Sequence, residues 1–192
     1  MKIRGLVLAG GKSSRFGTDK ALATYQGVSF LERAVTLLDG MCLKPVVIAR
    51  RERNYSFLTC PVLYDKLPDL GPLGGLYTAM TVFKDTTFLV LTCDMPALDE
   101  AALKGLLDSH EPHRMLTFYS MADGTEQPFP GVYEASLFGP ICEKIKKETL
   151  SMKSLFETLP EKKVVFWRGE PEILRNINYP PVSGGLVFKS RQ

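Results

Sequence analysis

The sequence predicts an α/β fold, a three-layer sandwich about a mostly parallel sheet, and three observations carry the prediction. Apolar runs of strand length alternate with longer stretches whose apolar residues recur at helical spacing, from residue 3 to residue 167. The first apolar run, residues 3–8, leads straight into the glycine-rich loop LAGGKSSRFGTDK, residues 8–20. That is the edge where open parallel sheets take their ligands. The run FLVL, residues 88–91, is continuously apolar, as a central strand buried on both faces must be.

Composition sets the outer limits. A chain of 192 residues, 45% apolar and 23% charged, fits one domain with a full core, so residues 1–192 are read as a single unit. A net charge of +3 without any run of five or six like charges is too small to argue for nucleic acid, so no nucleic-acid partner is expected, and any positive potential is local. Cys42, Cys60, Cys93 and Cys142 form no C-x-x-C pair, so they read as buried free thiols in a reducing compartment. The first apolar run is too short for a secretory leader, and no segment approaches the roughly 20 apolar residues of a membrane helix. A cytoplasmic protein that binds no membrane is expected.

Within the first loop, Gly10, Gly11 and Gly17 remove the Cβ atoms that would hold an anion away from the backbone amides. Lys12, Arg15 and Lys20 add cations, a mixture of bidentate guanidinium and compact ammonium that suits a polyphosphate better than a single carboxylate. The P-loop pattern fails, because Gly17 is separated from Lys20 by Thr18 and Asp19. The dinucleotide fingerprint G-x-G-x-x-G fails as well.

The remaining elements follow in order. Residues 21–25 form a short apolar stretch closed by the turn Gln26-Gly27. Ser29 and Glu32 have the spacing of a capping box, opening a helix whose apolar stripe runs to Gly40. Residues 45–49 are a second strand; Arg50, Arg51, Glu52 and Arg53 after it read as a solvated charged turn, with contact to phosphate or base as the other possibility. Residues 62–64 are a third strand ended by Asp65. Gly71-Pro72 then starts a helix, since proline is tolerated at a first turn. Gly74 and Gly75 would each weaken that helix by roughly 1 kcal/mol relative to Ala, so they imply close approach of its backbone to another backbone or to a ligand.

The strand at residues 87–92 delivers Cys93-Asp94-Met95-Pro96 to the same edge as Gly10. A carboxylate there is poorly explained by packing, and Asp94 is the candidate metal ligand; an Asx cap before Pro96 is the structural alternative. Asp99 caps a helix over 99–107, and strands at 115–119 and 129–133 are joined through Asp123-Gly124, a connection long enough for an acceptor-binding loop. A helix over 135–147 ends in Lys144, Lys146 and Lys147, read as a solvated terminus. A short helix at 151–159 and a strand at 164–167 follow. His110 and His113 lie in a polar connection and read as surface residues. Asn176 and Asn178, spaced by two, share one face of an extended chain, where they either bond a heterocycle or a metal-bound water, or make turns.

The pattern LAGGxSxRxGxDK resembles the nucleotidyltransferases related to molybdenum cofactor guanylyltransferase, and the likeness extends over Asp65 to the GPLGGL element and over residues 91–98. It implies a Rossmann-like sheet of the nucleotide-diphospho-sugar transferase (glycosyltransferase-A) type. The reaction implied is attack of the terminal phosphate of molybdopterin on the α-phosphorus of GTP, with release of pyrophosphate. Leu8, Ala9, Gly10 and Gly11 would then line guanine and phosphates, Lys20 the phosphates, and Asp65 the nucleoside. Gly71, Pro72 and Leu73 would lie by base and ribose, Asp94 would hold nucleotide and Mg²⁺, and Asn176 and Asn178 would stand on the pterin side. A phosphate monoester with a second pKa near ~6 needs no general base, so the chemistry falls to Arg15, Lys20 and Asp94, which relieve repulsion between anions. The resemblance also implies transient contact with cofactor-delivering or cofactor-accepting proteins. Two positions depart from the family: Ala49 stands where the guanylyltransferases place an asparagine, which leaves CTP, or a sugar-phosphate acceptor, open. Tyr179-Pro180-Pro181 replaces the usual start of a terminal helix, and with Ala49 keeps a nucleotide-binding regulatory module in view.

Overall fold

The computed structural model describes residues 2–10, 19–67 and 69–178, and within them strands and helices alternate as the sequence requires. Strand β1 (Ile3–Leu8) ends at the glycine loop. A small hairpin, β2 (Thr24–Tyr25) and β3 (Val28–Ser29), turns through Gln26 and Gly27 at φ of 52° and 80°, the left-handed pair that matches strand twist. Ser29 then caps α1 (Phe30–Gly40) in a reciprocal capping box with Glu32. Next come β4 (Val46–Ala49), β5 (Val62–Tyr64), α2 (Pro72–Val82), β6 (Thr87–Thr92) and α3 (Glu100–Ser109), which is capped by Asp99. The chain continues with β7 (Leu116–Ser120), β8 (Glu126–Tyr133), α4 (Phe138–Lys146), α5 (Met152–Thr158) and β9 (Lys162–Phe166).

Seven strands form one sheet in the order β5-β4-β1-β6-β8-β7-β9. All neighbours are parallel except β8, which runs antiparallel to both β6 and β7 because β7 and β8 are a hairpin turned at Asp123-Gly124. β8 starts at Glu126, before the expected residue 129. Its prolines, Pro128 and Pro130, fall where the register against β7 skips from Phe118↔Gly131 to Tyr119↔Gln127, so neither is asked for a ladder hydrogen bond. The helix expected over 135–147 is divided: a 3-10 turn, Ala135–Leu137, precedes α4.

Side-chain parity places the layers. A Cβ on Gly5 would come within 2.9 Å of Leu38 on α1, whereas one on Gly75 of α2 would come within 2.8 Å of Leu8. Residues 5 and 8 face opposite sides of a strand, so α1 and α2 cover opposite faces. Phe118 meets Phe156 of α5 with ring centroids 4.5 Å apart, while Tyr119 donates to the Ala102 carbonyl of α3 at 2.8 Å. Tyr77 of α2 stacks on Phe138 of α4. The layers are therefore α1 and α3 on one side and α2, α4 and α5 on the other, with β1 from Gly5 onward and β6 as far as Leu91 buried between them.

Two expectations are corrected. His110 is not a surface residue: its side chain is 1% exposed, held between Thr117 and Glu134. The four cysteines are free but not the buried thiols expected: Cys60, Cys93 and Cys142 are half-buried, and Cys42, in a turn with φ of 59° after the end of α1, is exposed. Among the described residues no helix is long and apolar enough to cross a membrane.

Candidate active site

β1 and β6 are neighbours in register, with Leu8 opposite Thr92, so the chain leaving each strand emerges at the same edge. Beyond β6 stands Asp94; beyond β1 the chain returns at Asp19 to a 3-10 turn, Lys20–Leu22, whose first residue points back across the gap. Lys20 Nζ lies 2.8 Å from Asp94 Oδ2 and 3.1 Å from Asn178 Oδ1. Three residues from distant parts of the sequence thus meet over the ends of the two central strands. Asn178 is brought there by Ile177, whose backbone N–H donates to the Asp94 carbonyl at 2.8 Å and whose side chain is buried with Tyr25 and Phe30.

Asp94 is not the exposed strand-end carboxylate that its sequence position implies. Its side chain is 19% exposed, and Oδ1 is buried without a hydrogen-bond partner among the described residues. A buried carboxylate oxygen left unsatisfied is costly, and such atoms in native folds mark places where an ion, water or ligand group belongs. The neighbouring Cys93 thiol is pushed up to about 12 by burial and by the Asp94 charge, so it stays protonated beside the site.

A second carboxylate, Asp19, is 7% exposed at its side chain and fully engaged. Its Oδ1 accepts the Ala21 N–H at 3.1 Å, capping the turn that carries Lys20, while Oδ2 accepts the Tyr55 hydroxyl at 2.8 Å and faces Arg53 Nε at 3.4 Å. Burial, and then the Asp19 carboxylate, raise the Tyr55 phenol far above its ordinary range, so it remains a donor. Arg53 belongs to the turn read as solvated charge. Arg50 of the same turn lies 3.5 Å from both Glu52 and Asp69.

Other sequence candidates lie differently. Leu8, Ala9 and Leu73 are buried in the core, so only their backbone can face a ligand. Ala49 is likewise fully buried, its carbonyl accepting the Asp65 N–H at 2.9 Å. Asp65 spends its carboxylate on the β5–α2 turn, accepting from Leu67 N at 3.0 Å and Thr78 Oγ1 at 3.1 Å; burial raises its pKa, with those two bonds opposing. Gly74 explains this closeness: a Cβ there would stand 2.6 Å from the Leu67 carbonyl and 2.9 Å from Asp65 Oδ2. The paired glycines admit protein atoms. Gly71, at φ of 59°, and Pro72 lead into α2. Asn176 parts company with Asn178: it lines a separate cleft of about 370 Å³ with Met121, Gln127, Glu172 and Arg175. Gly10 sits at the edge of the described residues; Gly11 and Arg15, with Lys12 and Gly17, lie outside them, as does the Tyr179-Pro180-Pro181 tail.

A mostly parallel three-layer sheet with a lysine and a carboxylate converging past its central strands defines an α/β protein of the class whose ligand edge lies beyond the carboxyl ends of its strands. Comparison with known proteins narrows the class. Residues 5–163 match the family described as the MobA-like NTP transferase domain. A probable molybdenum cofactor guanylyltransferase of Bacillus velezensis is 32% identical over 195 residues, covering 93% of this chain and 91% of that protein. One from Flavobacterium johnsoniae is 29% identical over 176 residues, covering 90% of each. The crystal structure of molybdopterin-guanine dinucleotide biosynthesis protein A from Archaeoglobus fulgidus shares the fold at a TM-score of 0.75 and 20% identity, over 92% of this chain and 93% of that one. The chain belongs to the MobA-like NTP transferase family and is a nucleotidyltransferase.

Proposed function

We propose that this protein transfers GMP from GTP to the terminal phosphate of molybdopterin, releasing pyrophosphate, with Mg²⁺ held at Asp94. The observation that carries the reading is the Lys20–Asp94 pair with its spare carboxylate oxygen, Oδ1. The names of the relatives support the acceptor and the base.

The donor set fits a hard cation that is mostly ligated by substrate. Among the described residues no three His, Cys, Asp or Glu groups cluster as a metal-holding set. Mg²⁺ ordinarily takes one or two carboxylates and completes its shell with water and phosphate oxygens, which matches a single aspartate beside a triphosphate site. When bound, Mg²⁺ supplies charge neutralisation on the phosphates and helps orient them for in-line displacement. The acceptor phosphate oxygen bonds to the α-phosphorus as the bond to pyrophosphate breaks. Lys20 provides a fixed ammonium against the developing negative charge, at a site whose partial burial strengthens it. Asn178 keeps that ammonium aimed between β1 and β6. No protein base is needed for a phosphate nucleophile that is already ionised.

A second reading, CTP in place of GTP, is left open by Ala49, whose buried methyl offers no hydrogen bond to any base. The discriminating experiment supplies purified protein with molybdopterin, Mg²⁺ and either nucleotide, and measures pyrophosphate and dinucleotide. Turnover with GTP well above that with CTP is expected; the reverse rejects guanylyl transfer, and release with neither rejects the acceptor. The free thiols suit a reducing cytoplasm for this step.

A further inference from the structure

We infer that Tyr55, with Arg53 beside it, is a positioning residue for triphosphate binding that acts through Asp19 on Lys20. The inference rests on the nucleotidyltransferase reading and adds to it a control point in the β4–β5 connection, 36 residues from the carboxylate it grips.

Lys20 is the first residue of a three-residue turn, too short to hold its own direction. What fixes it is the residue before. Asp19 caps the turn through Ala21 N, and the Asp19 carboxylate is itself clamped by the Tyr55 hydroxyl at 2.8 Å and Arg53 Nε at 3.4 Å. Tyr55 is 2% exposed, so the clamp is anchored in the core. Ala21, on the far side of Lys20, is 1% exposed and closes the other end. The lysine therefore hangs between two buried neighbours, and its ammonium reaches Asp94 and Asn178 as a consequence.

Charge supplies the second argument. Asp19 directly precedes Lys20 in the chain, and Asp94 Oδ2 lies 2.8 Å from the Lys20 ammonium, so the three charges share one neighbourhood. An Asp19 carboxylate without its donors would compete with Asp94 and with incoming phosphates for the same ammonium. Tyr55 and Arg53 spread that negative charge away from Lys20, leaving its field for the ligand.

The test measures binding by calorimetric titration of GTP and of tripolyphosphate, which has no base, into wild type, Tyr55→Phe, Lys20→Ala and the double variant. Tyr55→Phe keeps the ring and removes one bond to a buried carboxylate, so both ligands should bind about tenfold more weakly. Because the effect runs through Lys20, Tyr55→Phe should cost less than about twofold when added to Lys20→Ala. Arg53→Gln, at a half-exposed position, should weaken both ligands about threefold and carries the same comparison if Tyr55→Phe does not fold. Wild-type affinity in Tyr55→Phe, or an equal loss with and without Lys20, overturns this inference alone. A wild-type protein that binds no triphosphate overturns the nucleotidyltransferase site and this inference with it.

Discussion

At the amino end of β6, Thr87 donates to Glu134 at 2.8 Å, and the other oxygen of Glu134 meets His110 Nε2 at 2.7 Å, with Thr117 at 2.9 Å from Nδ1. Two residues past the carboxyl end of the same strand, Asp94 meets Lys20 at 2.8 Å and leaves its second oxygen buried and, among the described residues, unpaired. Both clusters hold a carboxylate and a nitrogen base at the edge of one sheet. At the amino end every named polar atom has a partner, so the group ties α3, β6, β7 and β8 together and has nothing left to offer a ligand. At the carboxyl end the accounting is open by one oxygen. The difference teaches that a buried ionisable pair is not in itself a sign of chemistry; the unspent valence is.

The largest test of that contrast is Asp94→Ala. It should lower pyrophosphate release by about 10³-fold, the scale lost when a charge-stabilising group is removed, while folding stability falls by only about 1 kcal/mol, because Lys20 keeps Asn178 and a buried carboxylate oxygen without a partner among the described residues is removed as well. Turnover equal to wild type removes Asp94 from the mechanism. The mirror experiment is His110→Ala, which strands the Glu134 carboxylate at 14% exposure and should cost about 2–3 kcal/mol of folding stability, read from urea midpoints, with kcat retained. A loss of kcat at unchanged stability would erase the distinction between the two ends. Gly74→Ala comes next. A methyl group 2.6 Å from the Leu67 carbonyl forces the β5–α2 turn apart, and a loss of about 1–3 kcal/mol is expected with or without nucleotide. A loss confined to nucleotide affinity would instead return Gly74 to the ligand.

The smallest expected effect is at Asp65. Burial raises its pKa, so the folded chain holds this proton more tightly than the unfolded chain does. That contribution is fully present below the ordinary carboxylate pKa and fades as pH rises through the folded value. Asp65→Asn should therefore flatten the fall in melting temperature from about pH 4 upward, leaving a nearly wild-type midpoint at low pH. An unchanged slope would mean that other groups set it.

How much of this was legible beforehand depended on the range of the signal. The capping box at Ser29 and Glu32, the Gln26-Gly27 turn and the Asp99 cap are local devices, and the structure places each where its residues require. Lys20 and Asp94 were named from strand-end position and from resemblance, and their meeting follows from β1 and β6 being parallel neighbours. Burial of His110 was not legible, because its partners Thr117 and Glu134 lie across the β7–β8 hairpin. The charged turn at 50–53 looked solvated because charge pattern alone does not reveal that Arg53 faces a buried carboxylate.

By itself the sequence determined the periodicities, the caps and the order of elements, and with them a parallel sheet whose ligand edge follows β1 and β6. Those are properties of spacing along the chain, which survive without knowledge of what packs on what. Only the tertiary structure decided which polar groups are satisfied: that Asp19 is clamped by Tyr55, that Asn178 reaches Lys20, and that one oxygen of Asp94 is left over among the described residues. Satisfaction is a sum over neighbours brought together by folding, and a linear pattern does not contain it.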